Sequence, residues 1–314
     1  MNLHSLRTFV ATADLGGLGR ASLRLNLSQP AASRHIDALE SEFGITLFQR
    51  VGRGLQLTSE GEDLLRQSRR LLADADLLAE RAFALKGGKS GTLRVAAPPQ
   101  MIASVLAPFL PRYRQRDPGV EVQIIEGSAT RQRIRLERGE VHLAIMAAGG
   151  GGFSRRLLLP IYALAVFLKT HRLARRGVVE IADLANEPLL LLQREYASRA
   201  GFDSGCESAH VTPRALMECT AVSTLIELAA VGYGIAIVPS TTFVRSPNLC
   251  ARPLVLRGAA IGHWSTAAWD PLRMAPPYVE RFVDMLVTHA HRNVPGREFL
   301  RRAPPLPRPT EPLT

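Results

Sequence analysis

The side chains best suited to recognition chemistry fall between residues 28 and 53. Gln29, Ser33, Arg34 and Asp37 recur at helical spacing on the face opposite an apolar stripe of Ala32, Ile36, Leu39 and Phe43. A helix that reads the major groove needs short polar and arginine side chains on its first turns. Gln can pair with adenine, Arg can pair with guanine or hold a phosphate, and Ser can bond either. Arg50 and Arg53 follow on an extended hairpin and suit phosphate contact. On spacing alone, the same pattern also fits a small helical subdomain whose polar face is merely solvated.

Elsewhere the chain offers little for metal or covalent chemistry. No Cys-x-x-Cys or His-x-x-x-His pair occurs, and His289 and His291 stand two apart on a helical stretch, facing different ways. No Ser/His/Asp or paired-carboxylate set can be assigned to one pocket, so no catalytic residue, metal or cofactor is expected and the chain does not read as an enzyme. The run Gly149–Gly152 follows a strand pattern without the Lys-Ser/Thr of a phosphate cradle and reads as a loop. Cys206, Cys219 and Cys250 are too few for a disulfide framework and suit a reducing compartment. No run of eighteen apolar residues and no signal-peptide pattern appears, so the expectation is a cytoplasmic protein without a membrane span.

The elements that must position these residues can be read in order. The chain has 314 residues, 46% of them hydrophobic, enough for about two domains of ~150 residues. Residues 1–58 hold three short helices and a hairpin. Leu6, Phe9, Val10 and Ala13 mark the first helix, Gly16-Gly17 stops it, and Arg20 to Leu25 is the second. Ser28 caps the third, with Pro30 in its first turn, and Gly44 ends it. Extended pieces at 47–50 and 55–58 join across Gly52-Arg53-Gly54. Residues 59–86 read as one long helix, with capping-box spacing at Ser59 and Glu62. Its heptad seam runs through Leu64, Ser68, Leu71, Ala75, Leu78, Ala82 and Leu85. Residues 87–91 form a Gly-rich linker. Residues 92–291 alternate strand and helix patterns, which predicts parallel sheets covered by helices. Residues 292–314 hold six prolines and no apolar period, and read as a disordered tail.

The residue order in the first segment is specific. Leu6-Arg7-Thr8-Phe9-Val10-Ala11, Arg20-Ala21-Ser22, Leu27-Ser28-Gln29-Pro30-Ala31-Ala32-Ser33-Arg34-His35-Ile36, Leu39-Glu40, Phe43-Gly44, Leu47-Phe48-Gln49-Arg50 and Leu57-Thr58-Ser59-Glu60-Gly61 together closely resemble the LysR-type transcriptional regulators. One departure is Leu18-Gly19 where the family usually starts its second helix with Ser or Thr, which implies a slightly weaker helix. The resemblance implies an α/β multidomain chain: a winged helix-turn-helix over 1–58, a dimerisation helix and hinge over 59–91, and an effector domain over 92–291. The effector domain is similar to a type-2 periplasmic binding protein, with subdomain I at 92–162 plus 267–291 and subdomain II at 163–266. The resemblance also implies that Gln29, Pro30, Ser33 and Arg34 lie at the DNA with Arg50 and Arg53 along its phosphates. The partners it implies are double-stranded DNA carrying an interrupted inverted repeat, further copies of the chain in a dimer or tetramer, and RNA polymerase.

The same resemblance implies a small-molecule effector between the two subdomains. Gln100 ends the Pro98-Pro99-Gln100 turn where many relatives carry Ser or Thr. Ser128 and Thr130 follow the next strand pattern, and Arg199, Ser223 and Thr224 are the candidates from subdomain II. Each also has a bland reading: Ser128 or Thr130 as a helix cap, Gly232 and Gly234 as a C-cap and turn. Peroxide-sensing relatives carry a reactive cysteine where this chain has Ala197, with Cys206 at the partner position, so that chemistry is not carried over.

The formal net charge is +11, with 36 of 39 basic residues arginine. Only six arginines against four acids lie in residues 1–58, while residues 92–291 hold 22 basic and 16 acidic residues. DNA binding therefore rests on residue order and not on bulk charge, and the basic excess of the effector region hints at an anionic organic ligand. A solute-binding protein leaves residues 1–58 without a use, and an enzyme carrying a DNA module requires a catalytic set that is not found.

Overall fold

Three short helices, each closed by a residue in the left-handed region, begin the chain. α1 (Leu3–Leu15) starts where the Asn2 side chain accepts a hydrogen bond from the Ser5 amide, and stops at Gly16 with φ +67°. α2 (Leu18–Leu25) stops at Asn26 with φ +55°. α3 (Gln29–Phe43) starts at Ser28, whose hydroxyl accepts from the Ala31 amide, and stops at Gly44. α2 begins at Leu18, two residues before the expected Arg20, with Gly17 as a cap that supplies no side-chain bond. β1 (Phe48–Val51) and β2 (Gly54–Leu57) form an antiparallel hairpin. Leu6, Phe9, Ile36, Leu39, Leu47 and Phe48 bury together beneath these elements. This computed structural model describes residues 1–51, 54–85, 91–273, 276–301 and 303–309.

α4 (Ser59–Leu85) follows. Its cap is Thr58 and not Ser59: the Thr58 hydroxyl accepts from the Gly61 amide at 2.9 Å, while Ser59 donates to Glu60. The expected Ser59/Glu62 box is thus not formed, and the single-sided cap lies one residue earlier, with Gly61 at the position where a box needs a side chain. Gly61 is required by packing, since a Cβ there would sit 2.2 Å from the Leu47 carbonyl oxygen. The expected seam is divided: Ser68 is buried, whereas Leu71 and Leu78 remain 41% and 69% exposed. The residues that α4 buries against the helix-turn-helix core are Leu65 and Leu72, each one position beyond a seam leucine.

The chain divides into two compact units, one formed by residues 1–88 and the other by most of the remainder. The second unit has two lobes. The first lobe holds β3 (Gly91–Ala97), α5 (Pro99–Met101), a π turn (Ile102–Leu106), α6 (Ala107–Arg116), β4 (Val120–Glu126), α7 (Ala129–Arg138) and β5 (Leu143–Ala147). The long β6 (Ser154–Leu168) crosses to the second lobe. There lie β7 (Val179–Glu180), β8 (Pro188–Leu192), α8 (Ala197–Ser208), β9 (Arg214–Cys219), α9 (Val222–Ala230), β10 (Ile235–Pro239), β11 (Leu249–Leu256) and β12 (Ala259–Ala260). β13 (Gly262–Trp269) returns, and α10 (Pro277–Arg292) and α11 (Arg297–Leu300) close the chain.

The sheets are mixed, not parallel throughout. β3 runs parallel to β4 and β5, and β8 parallel to β9 and β10, as βα units require. β13 is antiparallel to β5 and to β6, and β6 is antiparallel to β10 and β11, because β6 and β13 carry the chain between lobes in opposite directions. The return falls beside Gly262, which pairs with Tyr162, some residues before 267. α10 belongs to the first lobe: Phe282 stacks edge-to-face on Phe109 and Tyr113, with centroids 5.0 and 4.8 Å away.

The described part of the tail is packed, contrary to the expectation of disorder. Leu306 is buried and its amide donates to the Tyr162 hydroxyl. Trp264 donates through Nε1 to the Pro307 carbonyl at 3.0 Å, and the Arg308 guanidinium lies over the Trp264 ring. Proline content fixes an extended backbone without an apolar period, and one leucine is enough to anchor it.

Candidate functional site

The polar face of α3 is built by the burial of the opposite one. Ala32, Ile36 and Leu39 are buried, which leaves Gln29, Pro30, Arg34 and Asp37 exposed and Ser33 half-buried. α3 is held from two sides. The Thr8 hydroxyl and His35 Nδ1 lie 2.8 Å apart, joining α1 to α3. Glu40 Oε1 accepts from the amides of Leu47 and Phe48 at 2.6 and 3.2 Å, fixing the entry to the hairpin. Arg50 is exposed on β1. Arg53 lies outside the described residues. The surface presents amide, hydroxyl and guanidinium groups on a rigid helix, the chemistry of base-edge and phosphate contact.

In the second unit a cleft of about 690 Å³ opens between the two lobes. The first lobe lines it with Pro99, Gln100, Ala103, Glu126, Gly127, Ser128 and Arg131. The second supplies Gln193, Glu195, Tyr196, the Thr220–Ser223 turn, Ile226, Glu227 and the Thr241–Ser246 loop. These positions lie at the carboxyl ends of β3, β4, β8 and β10 and at helix starts, where open α/β sheets place their ligands. Burial is the largest cause pushing the Tyr196 hydroxyl above the usual tyrosine range; the Glu195 carboxylate adds to it and Arg131 opposes it. Ser128 and Thr241 are buried, and neither hydroxyl has a hydrogen-bond partner among the described residues.

Of the expected ligand contacts, Gln100, Ser128 and Ser223 line this cleft. Thr130 and Thr224 are exposed on their helices and do not line it. Arg199 is corrected outright. It is 4% exposed and its donors are taken by Asp203 at 2.7 Å, Glu218 at 2.8 Å and the Leu192 carbonyl at 2.6 Å. It ties α8 to β8 and β9 and is a structural residue. Arg131, one turn into α7, and the Thr241-Thr242 pair after β10 were missed. The signal for both was position: a first helical turn and the end of a buried strand. Cys206 is buried, and burial pushes its thiol up to about 11, which suits an inert core residue. Among the described residues no cluster of three His, Cys, Asp or Glu side chains could hold a metal, and no helix is long and apolar enough to cross a membrane.

Residues 3–62 match the pattern described as "Bacterial regulatory helix-turn-helix protein, lysR family", and residues 86–291 match "LysR substrate binding domain". The chain belongs to the LysR family. It is 31% identical to the regulator ClcR of Pseudomonas putida over 77% of this chain and 83% of that one. In fold it is similar to full-length OxyR from Pseudomonas aeruginosa (TM-score 0.70, 22% identity, covering 95% of this chain and 97% of that one). It is likewise similar to full-length CbnR complexed with its target DNA (TM-score 0.63, 22% identity, covering 94% and 100%). This LysR-type chain is a DNA-binding transcriptional regulator with an effector-binding domain, and not an enzyme.

Proposed function

We propose that α3 enters the major groove with Gln29, Ser33 and Arg34 at base edges and Pro30 at the groove wall, while Arg50 and Arg53 hold phosphates. The observation that carries this reading is the sharp division of α3, with Ala32, Ile36 and Leu39 buried and Gln29, Arg34 and Asp37 exposed. Leu71 and Leu78, left exposed on α4, form the seam of a dimer, and dimers pair into tetramers. A two-fold dimer calls for an interrupted inverted repeat in the duplex. The protein works in the cytoplasm, uses no cofactor besides its effector and acts on transcription through RNA polymerase.

A small organic molecule in the cleft, contacting Gln100, Ser128 and Ser223, favours one relative placement of the lobes. The oligomer converts that preference into a change in how its helix-turn-helix units lie on DNA. A footprint of the protein on its own upstream region, with and without a compound that raises its melting temperature, tests this. Protection that changes in extent or position supports the reading, and an identical footprint overturns the ligand-driven mechanism.

A further inference from the structure

The cleft is of mixed charge. Although the effector half of the chain is basic, the cleft is lined by three carboxylates, Glu126, Glu195 and Glu227, against two guanidiniums, Arg131 and Arg245. None of these five has an ion-pair partner among the described residues; Arg245 instead lies over the Phe243 ring. Unpaired carboxylates facing a cleft repel a simple organic acid and attract a cation. The two signs are also partly sorted. Ser128 and Arg131 stand at the start and first turn of α7, a ten-residue helix whose free amides favour negative charge. Glu195 and Glu227 line the cleft from the second lobe together with Arg245, while Glu126 lines it on the side of Arg131.

The independent observation is a pair of buried hydroxyls. Ser128 is 2% and Thr241 1% exposed, both line the cleft, and both oxygens lack a partner among the described residues. A buried hydroxyl without a partner is costly, so these two mark where polar ligand atoms belong. Ser128 sits on the first lobe beside Arg131, and Thr241 on the second-lobe loop that also carries Arg245.

We propose that the effector is a zwitterion, a compound carrying both a carboxylate and an ammonium group. Its carboxylate sits at Ser128, Arg131 and the start of α7, and its ammonium at Glu195 and Glu227. A ligand of this kind draws on both lobes at once and so favours their closure, which neither charge achieves alone. The inference rests on the cleft being the effector site.

The test is thermal shift of the full-length protein against three matched sets: the common L-amino acids, the same molecules without the amine, and the same molecules without the carboxylate. At least one amino acid is expected to raise the melting temperature where its deaminated and decarboxylated counterparts do not. Glu195→Gln with Glu227→Gln, melting unliganded like wild type, is expected to weaken that amino acid about thirtyfold or more. If the double variant fails to fold, Glu227→Gln on its exposed helix face serves in its place, with a smaller loss. A deaminated acid that binds as well as its amino acid, sensitive to Ser128→Ala, overturns the zwitterion while leaving the cleft an effector site. A decarboxylated amine that binds as well, or no shift from any compound, overturns it too.

Discussion

The Thr8 hydroxyl and His35 Nδ1 meet at 2.8 Å across the α1–α3 interface. Thr8 also lies 2.9 Å from the His4 carbonyl, to which it gives its one proton, so the imidazole must be the donor to Thr8. Thr8 is fully buried, and this bond ties α3 to α1. Thr8→Val keeps the volume and removes the acceptor. It is expected to destabilise the protein by ~1 kcal/mol and to weaken DNA binding in parallel. Chemical denaturation and fluorescence anisotropy on an operator fragment measure the two effects.

Arg34 and Arg50 are expected to separate base reading from phosphate holding. Arg34→Ala should cost about 1–3 kcal/mol of specific binding and relax preference at one base pair. Arg50→Ala should weaken all sequences alike and lower the salt slope by about one. Titrations at several salt concentrations, on specific and scrambled duplexes, distinguish them.

Arg199→Met is expected to lower stability by roughly 1–3 kcal/mol, held down because its partners Asp203 and Glu218 are about one-third exposed and screened by solvent. Ligand affinity should stay unchanged, since the guanidinium does not line the cleft. Melting curves with and without ligand read both quantities from one sample.

Much of this was legible in the residues. The α3 stripe and the caps at Ser28 and Gly44 follow from local pattern, and the family resemblance points to Gln100, Ser128 and Ser223, which line the cleft. What was not legible depends on tertiary partners. Arg199 resembles a ligand arginine until α8 and β9 bring Asp203 and Glu218 to it. Ser59 resembles a cap until Thr58, held at the Thr46 and Leu47 carbonyls, offers its hydroxyl to the Gly61 amide. The tail looks disordered until Tyr162 and Trp264 receive Leu306 and Pro307.

That tail makes a prediction of its own. Ending the chain after Asn293 removes Leu306 from the Tyr162 and Trp264 surface, where burying one leucine contributes about 1.5–3 kcal/mol. The truncated protein should melt lower, and Leu306→Ala should account for a large share of the loss.

His263 is pushed down to about 4 by burial, against an ordinary histidine value near ~6.5. Its folded value lies below its unfolded one, so its contribution is complete above pH ~6.5 and is lost as pH falls toward 4. Melting temperature should fall through that window, and His263→Gln should flatten the fall. A pH series of melting curves on both proteins checks the difference.

The central claim is that the exposed face of α3 reads DNA sequence, and the most direct test is selection from a random duplex library by wild type and by Arg34→Ala. Wild type should enrich an interrupted inverted repeat, and Arg34→Ala should lose selectivity at one symmetric pair of positions. No enrichment by wild type, or the same motif recovered with equal strength by the variant, would contradict it.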